Sequence, residues 1–277
     1  MRLADAFDVC FETRDSWREG TGKKAARINA NHCIRILGAD TNVYDITNEH
    51  FKRITKEALE EGKKPATVNR ITATLSTLFR ELKTEQGLIL ETPAFKRQKE
   101  SQGRPGYYTE EEVQRILKCA AEESDYFLLY DSILFSVKTG CRQCELLSLT
   151  VNDIDLDSKD MVFIDTKNGT DHWLKIHDDV LPTLKRRLEY RDSELLFPWD
   201  RGSSLLDAFK RTMKRAGFDD ADPRVWHTLR HSVATWLCEK GVPLRSVMGV
   251  LNHKNVSTTL RYAKASNRAV ADAIDML

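Results

Sequence analysis

Apolar residues recur along the first third of the chain at the spacing of helices. Leu3, Phe7 and Phe11 fall on one side of a first helix, and Trp17 continues it. Between Lys23 and Leu37 the apolar positions Ile28, Cys33, Ile34 and Leu37 repeat at helical spacing, with Gly38 as a stop. Thr47 is placed to cap a third helix, which runs through Phe51, Ile54 and Leu59 to Gly62. From Thr67 to Leu82 a fourth helix carries Val68, Ile71, Leu75, Leu78, Phe79 and Leu82 on one face. Four amphipathic helices predict a small bundle over residues 1–95. The tract that follows is polar, charged and broken by Gly103, Pro105 and Gly106, which predicts a linker over residues 96–107. Beyond it, over residues 108–277, helical patterns resume. Thr109 with Glu110, Glu111 and Glu112 reads as an N-cap followed by an acidic first turn. A single β segment interrupts them: Met161–Ile164 and Trp173–Ile176 flank Lys167-Asn168-Gly169, a hairpin signal. At the end, Val270, Ile274 and Leu277 make an i, i+4, i+7 stripe that needs a surface to cover it. The fold class is therefore mainly α with a small β-sheet.

Composition narrows the class. At 277 residues, 41% hydrophobic and 31% charged, the profile is that of a globular chain of one large or two ordinary domains. No run of about twenty apolar residues predicts a membrane span. Met1-Arg2-Leu3-Ala4-Asp5 has no signal-peptide apolar core. Six scattered cysteines fit reduced thiols rather than a disulfide framework. These features predict a cytoplasmic, intracellular protein. A net charge of +1 is modest for a nucleic-acid binder, but the charge is unevenly spread. Between Leu205 and Arg268 there are 12 Lys+Arg and 5 Asp+Glu, against 8 and 13 between Arg142 and Asp200. A polyanion responds to such a local excess, not to the average.

Four local strings carry the chemistry. They are Thr139-Gly140-Cys141-Arg142-Gln143-Cys144-Glu145-Leu146-Leu147-Ser148-Leu149, Thr166-Lys167-Asn168-Gly169, His227-Thr228-Leu229-Arg230-His231, and Leu251-Asn252-His253 leading to Thr259-Leu260-Arg261-Tyr262. Guanidinium forks hold phosphate oxygens bidentately. Histidine and lysine move protons, and a tyrosine hydroxyl can attack phosphorus. His227 and Arg230, spaced i, i+3, share a helix face, while His231 points elsewhere. Glu145 is placed to brace Arg142. Thr258 or Thr259 is placed to cap a short helix carrying Tyr262.

In order and spacing these strings resemble the tyrosine recombinase (phage integrase) family from about Tyr108 to the end. Asn252 stands where that family usually has glycine, and asparagine is the best substitute at a left-handed position. The resemblance implies a catalytic set of Arg142, Lys167, His227, Arg230, His253 and Tyr262. Tyr262 is the nucleophile and forms a 3′-phosphotyrosine, and Lys167 donates a proton to the leaving 5′-oxygen. Neither metal nor other cofactor is implied. The first unit becomes a core-binding domain on double-stranded DNA, with Lys23, Lys24, Arg27, Lys63, Lys64, Asn69, Arg70 and, in the linker, Arg104 as DNA-binding candidates. The expected activity is site-specific recombination in the nucleoid, integrating or excising a phage or mobile element. It implies a tetramer on DNA, with the 263–277 tail docking on a neighbouring protomer or else packing on its own domain, and an accessory DNA-bending protein as a candidate further partner. Two alternatives stay open: a type IB topoisomerase-like nicking-closing enzyme, and a catalytically inert DNA-binding regulator. Cys141 and Cys144 form a C-x-x-C without a second pair to complete a zinc site. His172 and His177-Asp178-Asp179 read as surface residues.

Overall fold

Arg14 leaves the helical conformation for an extended one, so the first predicted helix is broken into α1 (Leu3–Thr13) and α2 (Asp15–Arg18). The break lets Trp17 fold back, its ring 5.1 Å from Phe11 and 6.3 Å from Phe7. This computed structural model describes the chain except residues 21, 89–90, 101–105, 123–126, 165–168, 201, 264–273 and 276–277. The chain divides into two compact units, Met1–Gln102 and Gly103–Leu277.

In the first unit α3 spans Lys23–Leu37, α4 Asn48–Glu60 and α5 Pro65–Thr84. Proline at the first helical position starts α5 ahead of Thr67, because its missing N–H is not needed there. The buried stripe of α3 is Ala26, Ala30, Cys33, Ile36 and Leu37, and Ile28 is 49% exposed. Small alanines bring α3 close to α5, and that contact outweighs the larger isoleucine one face away. On α4, Ala58 is buried in the same way and Leu59 faces out. Asn69 is only 2% exposed. Its side-chain N–H groups donate to the Gln98 carbonyl (2.9 Å) and to Glu100 (2.7 Å), and its oxygen accepts the Gln98 N–H (2.7 Å). Phe95 stacks on Phe51 at 5.2 Å. The start of the predicted linker is thus part of the first unit.

The second unit contains α6 (Glu110–Ala121), α7 (Leu128–Thr139) and α8 (Gln143–Ser148). An antiparallel sheet follows, ordered β1 (Ile154–Asp155), β2 (Asp160–Phe163), β3 (His172–Lys175). Then come α9 (Leu181–Glu189), α10 (Gly202–Arg215), α11 (Trp226–Glu239), α12 (Leu244–Val250) and α13 (Val256–Leu260). Strands β2 and β3 start one residue before the apolar runs. Met161 pairs with Leu174 and Phe163 with His172, leaving Ile164 and Trp173 exposed. Strand β1 is too short to show a pattern. Thr109 closes a capping box with Glu112, and the Tyr108 N–H donates to Ser232 on α11 at 2.8 Å. Helix α11 packs on α7, which brings the ends of α7 and α12 together. Among the described residues no helix is long and apolar enough to cross a membrane.

Candidate active site

The site begins where α7 ends. Gly140 takes a left-handed φ of +66°, and a Cβ there would sit 2.6 Å from Leu251 Cδ2. Only glycine meets both conditions. The turn aims the Gly140 carbonyl at Arg230, whose Nη1 donates to it at 2.7 Å. It also places Arg142 at the head of α8. The Arg142 backbone N–H donates to Glu145 Oε2 (2.7 Å), and its Nη1 donates to Oε1 (2.5 Å). Glu145 therefore braces Arg142 as its spacing predicted.

Both arginines also grip the loop after α12. Arg142 Nη2 donates to the Asn252 carbonyl at 3.2 Å, and Arg230 Nη2 donates to the Leu251 carbonyl. Asn252 has φ +47°, the left-handed conformation expected of a residue standing in for glycine. Arg230 is 5% exposed and 4.0 Å from Glu145. Burial, with Arg142 nearby, pulls its pKa down to about 10. Two cations facing one carboxylate leave an excess positive charge in a site screened from water, an arrangement suited to an anion.

His253 follows this loop, and its Nδ1 shares a 2.9 Å hydrogen bond with the buried Thr259 hydroxyl. Burial first, then Arg230 and Arg142, push its pKa down to about 4, so the ring is neutral. Thr259 lies inside α13, whose N-cap is Asn255, so neither Thr258 nor Thr259 caps it. Tyr262 stands just past α13 and is 4% exposed. Burial raises its pKa, against Arg261 and Arg230, so the resting hydroxyl holds its proton.

On α11, Arg230 points inward while His227 is exposed. His231, expected to point elsewhere, lies at the site: its Nδ1 is 2.5 Å from the Tyr262 hydroxyl. Its ring meets His227 edge-on at 4.8 Å. Burial, then His227, Arg261 and Arg230, push its pKa down to about 4. No i, i+3 rule reveals this contact, because Tyr262 reaches His231 from another element. His172 was also missed. Its Nε2 is 2.8 Å from the Gly249 carbonyl, tying β3 to the end of α12, and it stacks on Phe163.

The remaining candidates are dispersed. Lys167, Arg104 and tail residue Val270 lie outside the described residues. Lys175, on β3, is ion-paired with Asp160 at 2.8 Å. Lys23, Lys24, Lys64 and Arg70 are exposed on the first unit. Arg27 lies over the Phe11 ring at 4.0 Å, and Lys63 is 3.4 Å from Glu61. Asn69 is a correction: it is a buried tie to residues 98–100 with no exposed amide to offer DNA. Cys141 is buried beside Ser136, with its thiol pKa pushed up to about 11 by burial, while Cys144 is exposed. His177 accepts from the Asp179 backbone N–H at 3.1 Å, a local turn contact.

Known proteins supply the context for this geometry. Residues 107–268 match the phage integrase family. A tyrosine recombinase of Thermosipho africanus is 28% identical over 239 residues, covering 83% of this chain and 82% of that protein. Tyrosine recombinase XerD of Listeria monocytogenes serovar 1/2a is 30% identical, covering 78% and 77%. Among solved structures, a lambda integrase tetramer bound to a Holliday junction gives a TM-score of 0.75 at 23% identity, covering 95% of this chain and 78% of that one. The Tn1549 transposon integrase with transposon right end DNA gives 0.77 at 19% identity, covering 100% and 99%. The chain belongs to the phage integrase family and is a site-specific tyrosine recombinase, an enzyme that cleaves and rejoins DNA strands. Neither the nicking-closing nor the inert-regulator reading gains support from these relatives.

Proposed function

We propose that Tyr262 is the nucleophile of this reaction and that Arg142 and Arg230 hold the scissile phosphate. Tyr262 Oη attacks phosphorus, the bond to the 5′-oxygen breaks, and a 3′-phosphotyrosine remains. The charge that grows on the non-bridging oxygens is met by guanidiniums already fixed on protein carbonyls, which is preorganised electrostatic stabilisation. Neutral His253 lies beside them to hold or move a proton, and His227 is exposed near the same end of α11. Lys167 is assigned to protonation of the 5′-oxygen by its motif. The phosphotyrosine conserves the energy of the phosphodiester, so the 5′-hydroxyl of a second strand displaces the tyrosine. The observation that carries this reading is the convergence of Arg142, Arg230, His253 and Tyr262 from three separate stretches of sequence.

We further propose double-stranded DNA as the partner, with Lys23, Lys24, Arg27, Lys63, Lys64, Arg70 and Arg104 contacting phosphates. The working assembly is a tetramer on DNA docked through the 263–277 tail, acting at the nucleoid for a phage or other mobile element. DNA-bound integrases of the same fold support this reading. The test is covalent trapping on a nicked suicide DNA carrying the attachment site. Wild type yields a denaturation-resistant adduct and Tyr262→Phe yields none. An adduct that persists in Tyr262→Phe moves the nucleophile elsewhere.

A further inference from the structure

A tyrosine hydroxyl attacking phosphorus must release a proton, and the roles assigned above leave open what receives it. The hydroxyl of Tyr262 is in contact with His231 Nδ1 at 2.5 Å. The imidazole is held from two sides, by the Tyr262 ring at 5.6 Å and by the His227 ring at 4.8 Å. His231 directly follows Arg230 on α11. One helical turn thus sends a guanidinium toward the phosphate site and an imidazole toward the nucleophile.

We propose that His231 is a catalytic residue that takes the Tyr262 hydroxyl proton through Nδ1. This rests on the reading of Tyr262 as nucleophile. The Oη–P bond forms and the P–O5′ bond breaks. The phenolic proton passes to His231 Nδ1, and the 5′-oxygen receives its proton from the general acid, assigned to Lys167. On rejoining, His231 returns the proton to Tyr262. The charged groups near His231 are His227, Arg261 and Arg230, and Cys238 lies near Tyr262. Burial first, and then these groups, keep the resting imidazole unprotonated, with Nδ1 facing the hydroxyl. An arriving phosphate brings negative charge that offsets them, so basicity rises when the nucleophile is needed.

The experiment is single-turnover cleavage of the suicide DNA with wild type, His231→Asn, His231→Ala and Tyr262→Phe. A second substrate carries sulfur in place of the scissile 5′-bridging oxygen. The Asn side-chain oxygen stands near the position of Nδ1 and accepts the hydroxyl hydrogen bond, but it does not take the proton. His231→Asn is expected to bind DNA like wild type and to cleave on the order of 100-fold more slowly, as for loss of a general base. Its rate should rise with pH as the phenol ionises unaided. The sulfur substrate, whose thiolate leaves without a proton, should not restore it. For His231→Ala, added imidazole should recover part of the rate, which a packing role alone does not allow. A His231→Asn rate within about threefold of wild type, a faster one, or rescue by sulfur overturns the proposal. Cleavage by Tyr262→Phe overturns the nucleophile assignment instead, and the two failures are read from different proteins.

Discussion

Two places in the second unit set a pair of arginines around one carboxylate, and they use them differently. At Asp131, fully buried, Arg186 donates to both oxygens (2.5 and 3.1 Å), Arg187 lies at 2.9 Å and the Thr183 hydroxyl adds a fourth contact. The carboxylate is saturated and the arginines point at it. At Glu145, Arg142 occupies one oxygen with its side chain and the other with its backbone, which leaves Arg230 at 4.0 Å. Arg230 turns to the carbonyls of Gly140 and Leu251, which orient a cation without cancelling its charge. Hydrogen bonds to Asp131 raise the Arg186 pKa, while burial lowers that of Arg187 and takes that of Arg230 down to about 10. Burial alone does not separate the two places, since Arg187 is 6% exposed and Arg230 5%. What separates them is whether a carboxylate lies within hydrogen-bond reach.

The sharpest way to break this comparison is to delete one arginine from each. Arg230→Ala should slow adduct formation by about 100- to 1,000-fold, the effect of removing a preorganised donor. Arg187→Met should leave the rate of folded protein within about twofold, as expected of a residue remote from the chemistry. Equal losses in single-turnover cleavage would erase the distinction. Removing the carboxylates tests stability instead. Asp131→Ala should lower the unfolding free energy by about 3 kcal/mol, because the buried Arg187 and the half-buried Arg186 lose their partner. In urea titrations Glu145→Gln should cost less, since the amide oxygen still accepts a hydrogen bond. Gly140→Ala sets a methyl against Leu251 at a left-handed position and should cost about 2 kcal/mol in the same titrations.

The two half-buried histidines give a pH signature. Folding lowers the pKa of His231 and His253 from 6.5 to about 4. Between those values the unfolded chain binds more protons, so their contribution is fully present above pH 6.5 and is lost as pH falls toward 4. The melting temperature should drop across that window, and less steeply in His231→Asn or His253→Asn. The smallest effect concerns the first unit. Lys23→Ala and Lys24→Ala should each reduce the salt slope of DNA binding by about one and leave cleavage at saturating DNA unchanged.

Motif order made Arg142, Arg230, His253 and Tyr262 legible in the sequence, and a positional argument foresaw the left-handed Asn252. The bundle was legible as helices but not always as faces. Ile28 and Leu59 lost their core places to alanines, because close helix packing is decided between elements. Asn69 reads as a helix-surface amide until residues 98–100 fold onto it. His231 and His172 were missed because each partner is distant in sequence: Tyr262 lies 31 residues on and Gly249 lies 77 residues on. The broken first helix and the one-residue shift of β2 and β3 reflect boundaries, which periodicity marks least well.

The grip of Arg142 on the Asn252 carbonyl spans 110 residues. Nothing local assembles it, so the clamp, the neutral histidines and the nucleophile arise only when the second unit folds as a whole. For a protein proposed to cut DNA with no fuel to withhold, that is a safeguard in synthesis. A ribosome-bound chain that has not reached Tyr262 carries the arginines without the hydroxyl they serve. Cutting ability therefore arrives only after Tyr262 has been made and the second unit has closed around it.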